Sequence, residues 1–403
     1  MEKISDNIVD VVDKIYSSRF AAAPRNDPAR PRRVRCLNPF RWLEVNQNGE
    51  VTPCCSSWFK GNLGNINERS LLDIWNGTRF RELRESMFEG GKWRKFCNEK
   101  VCPQILNDTW VSVDFISPTT PDQLPITQEM LQAIREGKTE MPFGPLQIGL
   151  TCDSRCNLCC IMCEAPRRAK SDGALIRKAL EDMEPLLPSL KRIKLLGDGE
   201  PFFVPEVREF LFDFDSRKYP DARFLINTNG ILFTPDMWDK IQHLKLDWVV
   251  VSIDAATKET YEEIRIGGDW DILQENLEFL AGKYKEGFIR ELLISMTVMK
   301  SNHHELADFA KMGKRLGVTS TYFYPIYGDY GREQIFDRRD ISCLKRISRQ
   351  LSDPFMRQPG VDFNALNRWE NWKPGWSDYA IIMKRVVKKF VSKLHKGHRG
   401  GGS

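Results

Sequence analysis

Residues 152–163 read CDSRCNLCCIMC, so that five of twelve consecutive residues are cysteine. Ten of the chain's eleven cysteines fall into two groups, within 36–102 and within 152–163, and Cys343 stands alone. The N-terminal sequence lacks an apolar core followed by small residues, which predicts no secretory signal and a cytoplasmic location. Disulfides are disfavoured in that compartment, and the two groups of thiols therefore predict two metal sites.

The composition is that of a globular protein, with 41% apolar and 29% charged residues and no run of 18 apolar residues. The net charge is +5, but residues 384–399 alone contain seven Lys or Arg and no acid. This concentration argues against a broad nucleic-acid-binding surface. It predicts a basic amphipathic helix, which either packs on the rest of the chain or contacts a membrane surface or an acidic partner.

From residue 146 onward, short apolar runs alternate with stretches of helical periodicity. Alternating β and α units of this length predict a parallel sheet with crossover helices, in the α/β class. Six such units would make a partial (β/α)6 TIM-like barrel, in which the chemistry lies at the carboxyl ends of the strands. The runs are LQIGLT (146–151), IKLLG (193–197), RFLIN (223–227), WVVVSID (248–254), LLISMTVM (292–299) and TYFYPI (321–326).

The cysteine-rich run follows directly on the first of these strands, with a spacing that suits an iron–sulfur cluster. The pattern C-x3-C-x2-C occurs twice, as Cys156, Cys160, Cys163 and as Cys152, Cys156, Cys159. Three thiolates rather than four leave one iron of a cubane open for another ligand, as in a catalytic metal site. A zinc knuckle or a group of unligated thiols is the simpler alternative.

The text CNLCCIMC after a β-strand resembles the signature of the radical S-adenosylmethionine (SAM) superfamily. The resemblance favours Cys156, Cys160 and Cys163 as cluster ligands and places Met162 against the adenine of SAM. In that family the amino and carboxylate groups of SAM chelate the fourth iron. An electron from the cluster then cleaves SAM to a 5′-deoxyadenosyl radical. The other two cysteines of the run are spare thiols in this interpretation.

Three further motifs follow predicted strands in the family's order, although each alone is a turn or cap signal. GDGEP (197–201) resembles the GGEP motif that binds the SAM amino group, with an aspartate in place of its first glycine. NTNG (227–230) resembles a TNG that lies beside SAM. SIDAATKETYEEIRIGG (252–268) offers two polar residues on one strand face for a ribose and an arginine for a carboxylate. The resemblance thus implies SAM contacts from Gly197, Gly199, Glu200, Pro201, Asn229, Ser252, Asp254 and Arg265.

The cysteines that precede the barrel suggest a second, saturated cluster, held by Cys36, Cys54, Cys97 and Cys102. The segment GNI-x3-S-x3-IW resembles part of the SPASM/twitch auxiliary-cluster module of radical SAM enzymes. The chain departs from that module in two ways, because the module here precedes the barrel and carries a single set of four cysteines. Cys55 in place of Cys54, and zinc in place of iron, are the alternatives.

The predicted organisation is as follows: 1–35, a helix and a Pro/Arg-rich linker; 36–115, the SPASM/twitch-like domain; 116–143, a linker; 144–330, the barrel; 331–403, a helical extension with the basic tail. The resemblance implies an enzyme with SAM, a SAM-binding [4Fe–4S] cluster and one auxiliary [4Fe–4S] cluster. The radical would abstract a hydrogen from a peptide or a sugar-like small molecule, and flavodoxin or ferredoxin would supply the electron.

Two other functions stay open from the sequence. A non-catalytic iron–sulfur electron-transfer or binding protein would lack the SAM contacts, and an RNA-modifying radical SAM enzyme would need a broad basic surface. Cys343, Tyr322 and Tyr324 are candidates for a hydrogen donor, with core packing as the alternative.

Overall fold

The computed structural model describes residues 33–88, 90–99, 102, 105, 110–113, 126–163, 173–195, 197–326, 333–335 and 340–363. The predicted helix at 1–20 and the basic tail at 384–399 lie outside these residues. The chain divides into two compact units, residues 1–252 with 265–292 and residues 253–264 with 293–403. Among the described residues, every helix is too short or too polar to cross a bilayer.

In the first unit, strands and helices alternate from residue 147 onward, as the apolar runs predict. The strands are β1 (Arg33–Val34), β2 (Trp42–Val45), β3 (Glu50–Thr52), β4 (Gly64–Asn65), β5 (Val111–Ser112), β6 (Gln147–Leu150), β7 (Arg192–Leu195), β8 (Arg223–Thr228) and β9 (Leu246–Ser252). The helices are α1 (Leu71–Trp75), α2 (Thr78–Met87), α3 (Gln128–Arg135), α4 (Ala174–Met183), α5 (Pro205–Asp213), α6 (Pro235–Ile241) and α8 (Trp270–Lys285).

The main sheet of this unit has the strand order β4-β3-β2-β6-β7-β8-β9. Strands β6 to β9 are parallel neighbours, which is the arrangement of a partial TIM-like barrel of the α/β class. The hairpin strands β2, β3 and β4 pair antiparallel, and β1 pairs antiparallel with β5.

Strand β2 joins the hairpin to the barrel strands, a connection that the sequence did not predict. It pairs in parallel with β6, with Trp42 opposite Gln147 and Val45 opposite Leu150. Thr151 extends the pairing, because its backbone N–H and its hydroxyl both donate to the carbonyl of Val45, at 2.8 and 2.9 Å. The N-terminal cysteine-bearing segment is therefore continuous with the barrel sheet.

The two faces of this sheet differ in polarity. Alternate residues form a fully buried apolar face, which includes Leu43, Ile148, Ile193, Ile226 and Val249. Crossover helices of parallel β/α units pack on such a face. The opposite face carries polar side chains on β2, β6 and β7, namely Trp42, Glu44, Gln147, Arg192 and Lys194.

The helical stretch from Leu71 to Met87 is divided into α1 and α2 at Asn76–Gly77. Gly77 has an extended backbone, and a Cβ there would lie 3.0 Å from the carbonyl oxygen of Asp73. The buried guanidinium of Arg84 fills the bend, donating to the carbonyls of Pro39, Trp75 and Thr139 at 2.8–2.9 Å. A charged group buried this deeply is stable only because its donors are satisfied.

The second unit contains the end of the βα series. Its elements are the part of β10 (Ile289–Val298) from residue 293, then β11 (Ser320–Pro325) and β12 (Val361–Asp362), with α7 (Lys258–Ile264), α9 (Leu306–Leu316) and α10 (Ile341–Leu351). Strands β10, β11 and β12 are parallel. Phe309 of α9 packs edge-on against Phe323 of β11, with ring centroids 5.7 Å apart.

Candidate cluster-binding site

The cysteine run forms an irregular loop directly after β6, and the sulfur of Cys156 receives two N–H groups there. The donors are the backbone of Leu158 at 3.4 Å and the side-chain amide of Asn229 at 3.6 Å. Burial raises the pKa of the Cys156 thiol to about 11, and the negative charges of Glu200 and of an ionised Cys160 add to the shift. Cys156 and Cys160 therefore lie close enough to interact electrostatically.

The buried guanidinium of Arg265 lies against the thiol of Cys160. Nη1 of Arg265 lies 3.9 Å from the sulfur of Cys160, and both residues are less than a tenth exposed. The segment that follows Arg265 is fixed to the same loop, because the carbonyl of Ile266 accepts the backbone N–H of Cys159 at 2.9 Å. Cys163 is half-buried, and its backbone N–H donates to the carbonyl of Cys160 at 3.0 Å.

The two spare cysteines of the run are in contrasting surroundings. Cys152 is buried, which raises the pKa of its thiol to about 12, and its charged neighbour is Asp153. Cys159 is exposed. The donor to the Cys152 sulfur is that residue's own backbone N–H, whereas the donors to Cys156 and Cys160 include side chains from other segments.

Glu200 is the buried centre of a network that connects the ends of β7 and β8. Its carboxylate accepts the hydroxyl of Thr228 at 2.8 Å and the backbone N–H groups of Asn229 at 2.8 Å and Phe202 at 3.3 Å. Burial raises the pKa of Glu200 to about 7, although these hydrogen bonds and the positive charge of Arg265 oppose the rise. The side chain of Asn229 continues the network, donating to Asn157 at 2.8 Å.

The GDGEP turn packs closely on the start of the cysteine loop. The backbone N–H of Glu200 donates to the carbonyl of Arg155 at 3.0 Å, and a Cβ on Gly199 would lie 2.8 Å from that oxygen. Only glycine fits such an approach. Gly197 has more room, with the nearest atom 3.6 Å from its hypothetical Cβ. Pro201 is buried behind the turn.

Three predicted SAM contacts stand outside this hydrogen-bonded group. Met162 is half-buried in the turn before Cys163, and Ser252 is the last residue of β9. Asp254 belongs to the second unit, where its carboxylate accepts the backbone N–H of Thr297 at 2.7 Å. Its backbone is left-handed, with φ of 66°, and Asp254 is the one non-glycine residue with positive φ in the described part of the chain.

Sequence reasoning missed several side chains that organise the loop. Asn157 and Thr228 lie within the CNL and TNG motifs. The motifs alone do not indicate that Asn157 contacts Asn229 or that Thr228 contacts Glu200. Arg155 makes a bidentate pair with Asp153 and bonds Glu206 of α5 at 2.6 Å, which ties the loop to the barrel helices. No spacing rule connects residues so distant in sequence.

The four N-terminal thiols form one electrostatic group. Burial raises the pKa of Cys97 to about 12 and that of Cys36 to about 11. Cys102 adds to both shifts, and burial together with all three of these thiols raises the pKa of Cys54 well above its usual value. Four thiols that would repel one another as anions need a cationic centre to become ligands.

Two family models match the chain in the regions of these two sites. Residues 36–103 match an iron–sulfur cluster-binding domain, SPASM, and residues 153–313 match the radical SAM superfamily. The chain carries a radical SAM domain preceded by a SPASM domain. The two domains imply a SAM-binding [4Fe–4S] cluster, SAM itself and auxiliary iron–sulfur ligation.

Among similar proteins, the mycofactocin maturase MftC of Mycobacterium tuberculosis is 28% identical over 168 residues, which cover 41% of this chain and 40% of that protein. The tungsten-containing aldehyde ferredoxin oxidoreductase cofactor-modifying protein of Pyrococcus furiosus is 31% identical, over 41% of this chain and 47% of that protein. The chain thus covers less than half the length of these relatives. Streptococcus suis SuiB bound to S-adenosylmethionine shares 14% identity and a TM-score of 0.40, over 58% of this chain and 54% of that one.

The donor set of each domain fits the group that the domain implies. Within the described residues, no three Cys, His, Asp or Glu side chains are grouped as they would be around a single metal ion. The radical SAM loop offers sulfur atoms that already receive N–H groups, which stabilise the thiolate form that iron requires. The SPASM domain offers four thiols, two buried and two half-buried, whose mutual repulsion as anions a cationic cluster would relieve.

Proposed function

We propose that the protein is a radical SAM enzyme whose SAM-binding cluster is held by Cys156, Cys160 and Cys163. The observation that carries this proposal is the loop after β6, where N–H donors already reach the sulfurs of Cys156 and Cys160. These N–H donors partly oppose the burial that raises the pKa of the Cys156 thiol, and a cationic cluster at the carboxyl ends of the parallel strands would complete the stabilisation of the thiolates. When bound, the cluster supplies an electron that cleaves SAM to methionine and a 5′-deoxyadenosyl radical.

The chain's own residues would bind SAM and exclude water. Glu200 presents a buried carboxylate beside the cysteine loop, which suits the ammonium group of SAM. Its rigid contacts to Thr228 and Asn229 hold that carboxylate in place before SAM arrives. Gly199 lets the turn approach the loop. Met162, Ser252 and Asp254 remain proposed contacts for the adenosine part, and Gly197 and Pro201 remain proposed contacts as members of the motif for the amino group.

The auxiliary cluster is proposed to be held by Cys36, Cys54, Cys97 and Cys102. Their thiols interact with one another, whereas Cys55 is the last of the causes that raise the pKa of Cys54. This cluster would accept the electron left after hydrogen abstraction, which gives a net oxidation of the substrate, or would bind the substrate directly.

For the substrate we propose a peptide or a peptide-like small molecule. A maturase and a cofactor-modifying protein are among the relatives, and modification of a bound substrate is the activity that their names share. Flavodoxin or ferredoxin in a reducing cytoplasm would supply the electron. The proposed contact of the basic tail with a membrane surface or an acidic partner concerns residues outside the described part of the chain.

The test is anaerobic reconstitution with iron and sulfide, followed by dithionite and SAM, with 5′-deoxyadenosine as the product measured. We expect turnover in the wild type and in Cys159→Ala, and none in Cys156→Ala. The matched pair also separates the two cysteine registers, because Cys159 is a ligand only in the alternative one. Product from Cys156→Ala at the wild-type rate would refute the assignment, and a full iron load without product would favour a non-catalytic iron–sulfur protein.

The auxiliary cluster has its own matched pair. Cys97→Ala is expected to lose about half of the bound iron, whereas Cys55→Ala keeps all of it. Iron and acid-labile sulfide per chain are the quantities measured. Equal losses in the two variants would show that Cys55, not the proposed set alone, holds the cluster, and zinc in place of iron in protein purified anaerobically would identify a zinc site.

A further inference from the structure

Within the part of the chain that the structure describes, three buried polar atoms on β2 and β6 have no hydrogen-bond partner. They are Nε1 of Trp42, one carboxylate oxygen (Oε2) of Glu44 and the amide oxygen of Gln147. Glu44 and Gln147 are only 8% and 3% exposed. A buried donor or acceptor left unpaired destabilises a fold, so native chains seldom retain three of them together. Groups kept at such a cost commonly await a ligand.

The strand register places the three residues on one face. Trp42 is opposite Gln147, and Glu44 is opposite Gly149, two positions further along both strands. Residues two apart on a strand point the same way, and diagonal neighbours lie about 7–8 Å apart, within reach of long side chains. Gly149 leaves room on this face for the Glu44 side chain, because a Cβ there would lie 3.1 Å from Cγ of Glu44.

Lys194 lies beside Glu44 but does not complete the hydrogen bonding of its carboxylate. Its register on β7 is opposite Gly149, and its ammonium nitrogen lies 3.8 Å from Oε1 of Glu44. That distance is an ion pair but too long for a hydrogen bond. The lysine therefore keeps the carboxylate extended across Gly149, and leaves Oε2 unpaired.

The unpaired atoms define a pattern of one donor and two acceptors. A carboxamide has the complementary pattern, because its carbonyl accepts one hydrogen bond and its nitrogen donates up to two. We propose that this face, the Trp42–Glu44–Gln147 site, binds a primary carboxamide of the substrate, such as an Asn or Gln side chain, whose NH2 group can donate to both acceptors. A carboxylate ligand would be repelled by Glu44, and an ammonium ligand would leave the indole N–H of Trp42 unpaired.

The site lies on the same strand as the cluster loop. Gly149 precedes Cys152 by three residues, which corresponds to about 10 Å along an extended strand. A carboxamide held there would fix one part of a substrate while another part reaches the carboxyl end of β6. Trp42 and Glu44 belong to the SPASM domain, so that domain would supply substrate contacts as well as cluster ligands. That the bound carboxamide belongs to a substrate rests on the proposed function, whereas carboxamide binding itself does not.

The test uses saturation-transfer NMR on the cluster-loaded full chain with acetamide as the probe. Acetate, methylammonium and ethanol serve as comparison probes of similar size. We expect transfer to acetamide in the wild type, and about tenfold less or none in the double variant Glu44→Met with Gln147→Leu. Trp42→Phe, which removes only the N–H donor, should weaken acetamide transfer and leave the methylammonium signal unchanged.

Thermal unfolding of the same variants shows whether the polar atoms are structural. Because the double variant removes unpaired buried groups, its unfolding temperature should equal or exceed that of the wild type. A lower temperature would mean that the groups stabilise the fold, which overturns the proposal. Equal acetamide transfer in wild type and double variant, or transfer to ethanol without acetamide, overturns it as well. Formation of 5′-deoxyadenosine by the wild type is measured separately, and its absence contradicts the proposed function alone.

Discussion

Arg265, a predicted SAM contact, also lies beside a proposed cluster ligand. The motif resemblance implied that its guanidinium meets the SAM carboxylate. In the structure, that guanidinium lies 3.9 Å from the sulfur of Cys160, and its charge also acts on Glu200. Hydrogen bonds and positive charge next to a cluster ligand stabilise the reduced, more negative cluster. We therefore expect Arg265 to raise the reduction potential of the SAM-binding cluster.

Arg265→Met should shift the midpoint potential of the SAM-binding cluster to more negative values, and Arg265→Lys should shift it less because the charge remains. The measurement is an EPR-monitored redox titration of the loaded protein. Arg217→Met is the control, since the Arg217 side chain is 98% exposed. If Arg265→Met and Arg217→Met titrate at the wild-type potential, Arg265 has no electrostatic effect on the cluster.

Glu200 gives a prediction about pH. Burial raises its pKa to about 7, above the usual glutamate value of 4.5. Between these two values the folded chain holds a proton that the unfolded chain has released, so stability should fall as pH rises through this window. One such group changes the free energy of unfolding by at most about 1.4 kcal/mol per pH unit.

Urea unfolding under anaerobic conditions, at about pH 5, 6 and 7, measures this slope. Glu200→Gln cannot titrate, so its unfolding free energy should depend less steeply on pH than that of the wild type. All other titrating groups are common to both proteins and cancel in the difference. Equal slopes of unfolding free energy against pH in the wild type and Glu200→Gln would mean that Glu200 has an ordinary pKa in the folded chain.

The residue roles that sequence could indicate were those carried by short motifs. The text CNLCCIMC singled out the thiols, and GDGEP singled out Glu200. These motifs could not indicate that Glu200 accepts hydrogen bonds from Thr228 and Asn229, or that Asn229 donates to Cys156. Those contacts join residues far apart in sequence. The unpaired atoms of Glu44 and Gln147 depend in the same way on a strand pairing that no local pattern encodes.

At the scale of elements, the loop after β9 is held by two side chains from the turn that precedes α9. Asn302 donates to the carbonyl of Asp254 at 2.8 Å. Glu305 accepts the backbone N–H of Ala256 and the hydroxyls of Thr257 and Thr260 at 2.6–2.7 Å. These contacts keep Asp254 in its left-handed conformation, which a residue with a Cβ adopts only at some cost.

Asp254→Ala should lower the free energy of unfolding by about 1–3 kcal/mol, because alanine tolerates the left-handed region poorly and leaves the N–H of Thr297 without its acceptor. Asp254→Asn should cost much less, since asparagine accepts that bond and adopts positive φ readily. Asp308→Ala is the control, at an exposed aspartate. Urea unfolding measures all three, and equal losses for alanine and asparagine would refute this account of the loop.

The barrel elements were predictable because each strand is a short apolar run. IKLLG corresponds to β7, RFLIN to β8, and WVVVSID to β9 extended at its start to Leu246. The division of the helix at Gly77 was not predictable from periodicity, since it depends on where the Arg84 side chain is buried. Apolar periodicity locates elements, but the packing that interrupts them comes from elsewhere in the chain.

At the scale of the whole molecule, the SPASM domain supplies an edge strand as well as cysteines. Strand β2 covers the edge of β6, and α1 of that domain contacts α4 of the barrel. Trp75 and Asn76 also donate to the carbonyls of Phe143 and Met141 at 2.8 Å, just before β6. Contacts group the SPASM domain and these barrel strands within one compact unit.

A chain that begins at residue 116 should therefore fail to form a stable barrel. It would expose the backbone edge of β6 and part of the apolar face that Leu43 and Val45 cover, and exposed edges of this kind aggregate. The double variant Cys54→Ala with Cys97→Ala is the matched control, because it removes auxiliary-cluster ligands but keeps β2.

Far-UV circular dichroism, urea unfolding and iron content distinguish the two. We expect the cysteine variant to unfold cooperatively and to retain the iron of the SAM-binding cluster, and the truncated chain to aggregate or to unfold without a cooperative transition. A truncated chain that binds one cluster and unfolds as sharply as the cysteine variant would show that the barrel is independent of β2. In that case the SPASM domain would contribute its cluster, and the parallel pairing of β2 with β6 would add little to the stability of the barrel.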